Sequence, residues 1–329
     1  MIISKTPFRI SFFGGGTDYP VWYRKNGGAV LSTVINKYCY ISLRNLPPFF
    51  PYKHRIVYSK IEEVKDSKAV AHPAVKGVLE YLKLKEGIEV HHAGDLPARS
   101  GLGSSSSFTV GLLNAAYALK GVMLRKEQLA KEAIHVERDI LKENVGVQDQ
   151  IAAAYGGFNK ISFKGDDEIN VQPVTVKKER IKELEDHLML FFTGISRIAS
   201  KVAEKQIKNT PKKEKELIRM HQMVDEAVNI LNGKNRISDF GELLHESWQI
   251  KRGLSDKISN ARIDSIYQKA QRAGALGGKI LGAGGGGFML LFVPPKKQSK
   301  VRKELKDLLE VDFNFGREGS KIIHYNNLE

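Results

Sequence analysis

Apolar and polar positions alternate along residues 2–13, with Phe8, Ile10 and Phe12 on one face and Arg9 and Ser11 on the other. A period of two predicts a strand and directs Arg9 away from the apolar side. Gly14, Gly15 and Gly16 break the pattern, and Thr17-Asp18-Tyr19-Pro20 follows as a polar turn in which Asp18 is also a candidate helix cap. Alternation returns over 29–43 and 55–59, joined by the proline segment 47–51, and again over 88–92. Helical periodicity appears at 73–84, at 105–119 (ended by Gly121), and from 125 to about 142. In the last of these Leu129, Ala133, Val136 and Ile140 form the apolar stripe, with Glu137 adjacent to it. Asp149 stands one residue before an apolar helix start, where a cap is one reading of it.

Residues 158–176 read as hairpin strands, 179–186 as a charged connection and 188–193 as an apolar strand. Helices are expected at about 196–208, 211–232, 238–252 and 263–273. Strand 279–281, a glycine run, strand 288–293, helix 297–309 and a last strand within 314–325 complete the chain. The order predicts a mixed α/β domain over 1–174 followed by an α+β unit over 175–329. Two domains are also what 329 residues suggest.

Composition narrows the class. With 42% apolar and 27% charged residues the chain can bury a core, which excludes a disordered protein. Its one cysteine, Cys39, lies in an alternating strand and reads as a buried thiol. No apolar run is long enough to span a membrane and residues 1–5 do not open a signal peptide, so a reducing cytoplasm is the expected compartment. A formal charge of +15 points to anionic partners. The basic residues are interspersed with acids, as over 201–219 and 294–306, which favours nucleotides and sugar phosphates over nucleic acid.

Chemistry enters with Pro97-Ala98-Arg99-Ser100-Gly101-Leu102-Gly103-Ser104-Ser105-Ser106-Ser107, which opens the helix running to Leu119. A helix N-terminus leaves about four N–H groups without partners and suits a phosphate, while glycines let a polyphosphate approach the backbone. A flexible Gly/Ser loop with an ordinary serine cap is the plainer alternative. A P-loop is excluded, because no lysine follows the glycines at the required spacing. A dinucleotide fingerprint is disfavoured by Ser106 at its third glycine position and by the residues 93–100 that separate the strand from Gly101.

Two flanking stretches complete a set: Thr6-Pro7-Phe8-Arg9-Ile10-Ser11-Phe12-Phe13-Gly14-Gly15-Gly16-Thr17-Asp18-Tyr19 and Lys279-Ile280-Leu281-Gly282-Ala283-Gly284-Gly285-Gly286-Gly287-Phe288. In this order and spacing, from about residue 5 to about residue 293, the chain resembles the GHMP kinase superfamily. The resemblance implies a two-domain fold, with a mixed α/β N-terminal domain and a ferredoxin-like α+β C-terminal domain. It also implies ATP and Mg²⁺ as cofactors. By it, Pro97, Gly101, Leu102, Gly103, Ser104, Ser105 and Ser106 bind the nucleotide, Ser105 and Glu137 hold the metal, Asp149 receives or orients the attacking hydroxyl's proton, and Arg9 keeps Asp149 ionised.

Within the superfamily, Arg9 to Asp18 and the strings at 148–150, 156–159, 192–197 and 247–248 look like the heptose-phosphate kinases of bacterial surface-polysaccharide synthesis. That subgroup makes D-glycero-D-manno-heptose 1,7-bisphosphate from the 7-phosphate. It implies a sugar resting on Gly15, Gly16, Thr17 and Asp18, closed over by Gly285 and Gly286. The substrate's own phosphate is expected at Lys251, Arg252 and Arg197, for which solvated helix charges are the plainer reading. The expected partner is thus a small sugar phosphate, with no nucleic acid or membrane, and a homodimer is compatible with the reading. A galactose or fucose kinase, or a non-catalytic sugar or nucleotide sensor on the same fold, are the alternatives.

Overall fold

The computed structural model describes residues 1–195 and 199–326, with the side chains of residues 166 and 199–201 outside that description. The first unit runs β1 (Ile2–Phe13), α1 (Pro20–Asn26), β2 (Gly28–Asn45), β3 (His54–Val57), β4 (Ile61–Val64), α2 (Pro73–Tyr81), β5 (Ile88–Gly94), α3 (Ser104–Leu119), α4 (Lys126–Ile134), α5 (Gln148–Tyr155), β6 (Phe158–Phe163) and β7 (Ile169–Pro173). The second runs α6 (Lys178–Asp186), β8 (Leu188–Phe192), α7 (Ala199–Asn209), α8 (Glu214–Asn232), α9 (Ile237–Arg252), α10 (Ala261–Ala273), β9 (Gly277–Ile280), β10 (Phe288–Phe292), α11 (Gln298–Glu304) and β11 (Leu309–Glu310), before a last strand, β12 (Lys321–Tyr325).

An eight-stranded sheet follows the order β12-β1-β2-β5-β3-β4, with β6 on β2 and β7 on β6, and a four-stranded sheet follows β11-β8-β10-β9. In the smaller sheet the fourth strand lies beside the first and the third lies between first and second, the ferredoxin-like arrangement. A boundary after residue 174 falls between β7 and α6, but β12 pairs with β1, so the expected second unit of 175–329 loses its last strand to the first sheet.

Local pattern explains most elements, and burial explains the departures. The segment expected as a charged connection at 179–186 is helix α6, because its straight-chain residues favour helix and Leu184 anchors it in full burial. The helix expected to run unbroken from 125 to 142 changes at His135 into a wider π turn through Ile140, where Leu141 N–H reaches back to Val136 C=O. The helix expected over 297–309 ends at Glu304.

β1 carries the main consequence. α3 packs on it from the first unit while α8 and α9 reach it from the second, and Phe12 and Phe13 meet Phe240 of α9 edge-on at 5.5 and 5.1 Å. The polar side of the strand is therefore covered, and Arg9 and Ser11 are only 3% and 4% exposed. Polar groups sealed between two units need defined partners.

Candidate active site

The loop before α3 is shaped by positive backbone angles at Gly101 (φ +87°) and Gly103 (φ +75°), and Gly103 stands where a serine cap was the plainer expectation. Ser104 begins the helix, and its hydroxyl accepts from Arg99 N–H at 3.1 Å instead of capping the first turn. The leading N–H groups of α3 thus keep the open, electropositive character of an uncapped helix start. Leu102 is fully buried and its carbonyl accepts Arg9 N–H at 3.0 Å, so it anchors the loop, while Pro97 lies exposed at its edge. Two glycines without Cβ atoms and a free helix start fit a nucleotide polyphosphate.

Arg9 comes up under this loop. Its Nε and Nη2 donate to Asp149 Oδ1 and Oδ2 at 2.7 and 2.8 Å, and Nη1 donates to Gly101 C=O at 2.7 Å. Asp149 is not the helix cap, since Val147 holds that position; its carboxylate turns to the arginine. A β-carbon on Gly103 would lie 3.4 Å from Asp149 Oδ2, so the ion pair sits directly against the start of α3. The fork geometry fixes the carboxylate's plane as well as its charge.

Beside it, Asp18 is 2% exposed and accepts from Gly16 N–H and from Gln148 Nε2, each at 2.9 Å. Burial pushes its carboxyl above the usual range against the pull of the Gly16 N–H, and Asp149's charge pushes the same way. Tyr19, not Asp18, is the cap residue of α1. Thr17 is fully buried and donates to Gly14 C=O and Ala29 C=O, so it holds the turn together. Gly146 makes the approach of α5 possible, because a β-carbon there would meet Asp18 Oδ2 at 1.9 Å.

The second unit closes the site with backbone and lysines. Gly282 and Gly287 press on the phosphate loop: their β-carbons would fall 2.8 Å from Gly101 Cα and 2.0 Å from Ser100 O, and Phe288 N–H donates to Ser100 C=O at 3.1 Å. Gly285, expected to face substrate, gives its N–H to Ile258 C=O at 2.7 Å, and Gly286 packs on Ile195. Lys251 is 5% exposed, donates to Gly282 C=O at 3.0 Å and lies 3.3 Å from where a β-carbon of Gly15 would stand. Arg252, one residue on, faces elsewhere and pairs with Asp264 at 2.9 Å, so the structure does not bring the two together. Arg197 lies outside the described residues.

Ser105 and Glu137, the expected magnesium pair, stand in different settings. Ser105 is exposed on the first turn of α3, whereas Glu137 is 1% exposed and accepts from Ser106 Oγ and Thr109 Oγ1, both at 2.8 Å, and from Gln150 Nε2. Burial pushes its carboxyl up to about 7, although these three donors pull the other way. A sealed carboxyl with both oxygens engaged does not fit a magnesium ligand.

Pattern reading missed Lys279, Gln148 and Gln150. Lys279 is 2% exposed on β9 and donates to Ser11 C=O and Phe12 C=O at 2.9 and 2.8 Å, tying the second unit to the end of β1. Burial holds its ammonium well below the usual lysine range, with Lys251 and Arg9 adding to the effect. Its available signal was a lysine inside a strand that is otherwise glycine and apolar.

Known proteins share this layout. Residues 69–157 match the GHMP kinases N terminal domain and residues 223–311 the GHMP kinases C terminal model. The chain is 32% identical to a D-glycero-alpha-D-manno-heptose 7-phosphate kinase of Campylobacter jejuni, covering 97% of this chain and 98% of that one. It is 28% identical to a galactokinase of Thermococcus kodakarensis over 92% of each. A solved D-glycero-D-manno-heptose 1-phosphate kinase from Bacteriodes thetaiotaomicron superposes with a TM-score of 0.81 at 25% identity, covering 99% of this chain and 100% of that one. Agreement of this kind runs through both units and not through one glycine loop alone, and on it the chain belongs to the GHMP kinases.

Proposed function

We propose that this sugar kinase transfers a phosphoryl group from ATP to the anomeric hydroxyl of a sugar phosphate, with D-glycero-D-manno-heptose 7-phosphate as acceptor and the 1,7-bisphosphate as product. The observation that carries the reading is the Arg9–Asp149 pair seated under the start of α3. It sets a carboxylate beside the place where a transferred phosphoryl would lie. ATP, when bound at Gly101 to Ser106, supplies that group. Asp149 orients the acceptor hydroxyl and takes its proton, and Arg9 holds the carboxylate in place through its two-pronged hydrogen bond. The helix start offers N–H groups to developing charge, and closure of the second unit over β1 excludes water.

The heptose choice is supported by the C. jejuni relative and by Lys251, a buried cation beside Gly15 suited to an anionic substrate. One observation favours an unphosphorylated, galactose-like acceptor instead: Arg252, expected beside Lys251, is already paired with Asp264. ADP release from a panel of sugars with and without a terminal phosphate tests the reading. The heptose 7-phosphate is expected to exceed heptose in kcat/KM by about ten- to a hundredfold, the worth of one charge-assisted phosphate contact. Equal values would remove the phosphate from the substrate definition.

A further inference from the structure

Around Gly15 and Gly16 lie buried polar groups that the fold itself leaves unsatisfied. Gln206, on α7 of the second unit, is 3% exposed, and among the described residues neither its Oε1 nor its Nε2 has a hydrogen-bond partner. A β-carbon on Gly16 would fall 2.6 Å from Gln206 Nε2, so the amide lies directly against the glycine turn that precedes Asp18. On the same turn, Ser11 Oγ and Gln148 Nε2 lie 3.8 and 3.9 Å from the corresponding point on Gly15. Ser11 Oγ and Gln148 Oε1 are likewise buried without a partner. Orphaned groups of this kind are rare in a folded interior and each carries a desolvation penalty, so their convergence on one spot points to a ligand that completes them.

Their chemistry restricts that ligand. A primary amide with neither end hydrogen-bonded presents one acceptor and one donor side by side. Two neighbouring hydroxyls match it, one donating to Oε1 and the other accepting from Nε2, whereas a phosphate could use only Nε2. We infer that Gln206 is a specificity-determining residue that reads a vicinal diol of the sugar, with Gln148 and Ser11 completing the hydrogen bonds of the same ring face. The inference rests on the sugar-kinase reading above and adds the side from which the acceptor is selected: the second unit, where Gln206 packs on Gly16. Gly16 has no side chain because the space is Gln206's.

Kinetics with D-glycero-D-manno-heptose 7-phosphate and its 2-, 3- and 4-deoxy analogues, on the full chain, test it. In wild type, removal of either member of one adjacent hydroxyl pair is expected to lower kcat/KM by about ten- to a hundredfold. Gln206→Met and Gln206→Leu, which keep the volume and lose the amide, are expected to raise KM for the parent sugar by a similar factor and to leave KM for ATP unchanged. They are also expected to abolish the penalty for those deoxy analogues. A merely structural amide would shift melting temperature and leave the deoxy pattern intact, which overturns the inference. Should neither variant fold, equal kcat/KM for all deoxy analogues in wild type overturns it, and a paired loss sustains it. Turnover of no sugar by wild type defeats the kinase reading together with this one, whereas wild-type turnover with unaltered variants defeats this one alone.

Discussion

Asp149 receives two hydrogen bonds from one guanidinium, which leaves its remaining lone pairs directed along a fixed plane. Replacing it with asparagine keeps the shape but turns one oxygen into a donor facing Arg9 Nη2, so the plane is lost together with the proton acceptor. Asp149→Asn is expected to lower kcat by about 10²- to 10⁴-fold. ATP affinity, measured by calorimetry, is expected to stay within a few-fold, because the cradle belongs to α3. A variant with near wild-type kcat would return Asp149 to an ordinary place in the first turn of α5. Arg9 and Asp149 were legible as candidates because the strings around them resemble those of GHMP kinases. Their bidentate contact was not legible, since 140 positions separate them.

Where α3, the π turn and α5 meet, Glu137 is the hub: Ser106 and Thr109 reach it from one helix and Gln150 from another. Glu137 lies within the wide turn and is buried, 1% exposed. With a folded-state value of about 7 against an ordinary 4.5, the native state binds this proton more tightly than the unfolded chain. The stability so gained is full below about pH 4.5 and is lost as pH rises through about 7. Urea titrations of wild type and Glu137→Gln between pH 4.5 and 8 are expected to show it. Wild type should lose about 3 kcal/mol relative to the non-titrating variant across that range. A constant difference would mean that Glu137 is ionised throughout.

Between the two units one contact is backbone on backbone, where Phe288 N–H meets Ser100 C=O at 3.1 Å. At Gly287 (φ +92°) a β-carbon would lie 2.0 Å from Ser100 O, and a main-chain oxygen inside a folded loop cannot step aside. Gly121 offers the matched control, with φ +72° and nothing within 4 Å of its β-carbon position. Both alanine variants carry the strain of a left-handed residue, roughly 1–2 kcal/mol. Only Gly287→Ala also lifts the C-terminal glycine run off the phosphate loop. It is expected to melt several degrees below Gly121→Ala and to raise KM for ATP, while Gly121→Ala keeps wild-type kinetics. Equal melting temperatures and equal KM values would show that the run does not shape the nucleotide site. Among the described residues no helix is long and apolar enough to cross a membrane.

Period and punctuation carried far in this chain. The strand of residues 2–13, the helix opened at Gly103 and the glycine run at 282–287 each follow from local rules: alternation, helix propensity and the freedom of glycine to take positive φ. These were enough for the mixed architecture, whereas the grouping of Arg9, Asp18 and Asp149 came from the resemblance of their strings to GHMP kinases. Which atoms face one another is a different kind of question, because it depends on what covers each face. Arg9 is expected on the side turned from the core, yet a second unit more than 200 residues away seals that side. Ser105 and Ser106 are indistinguishable as letters, but one helical step of about 100° puts one in solvent and the other on Glu137. The same step sends Lys251 inward and Arg252 to Asp264. Lys279, Gln206 and the return of β12 to the first sheet are contacts between distant segments, set by desolvation and packing once both units are folded, and no local periodicity encodes them.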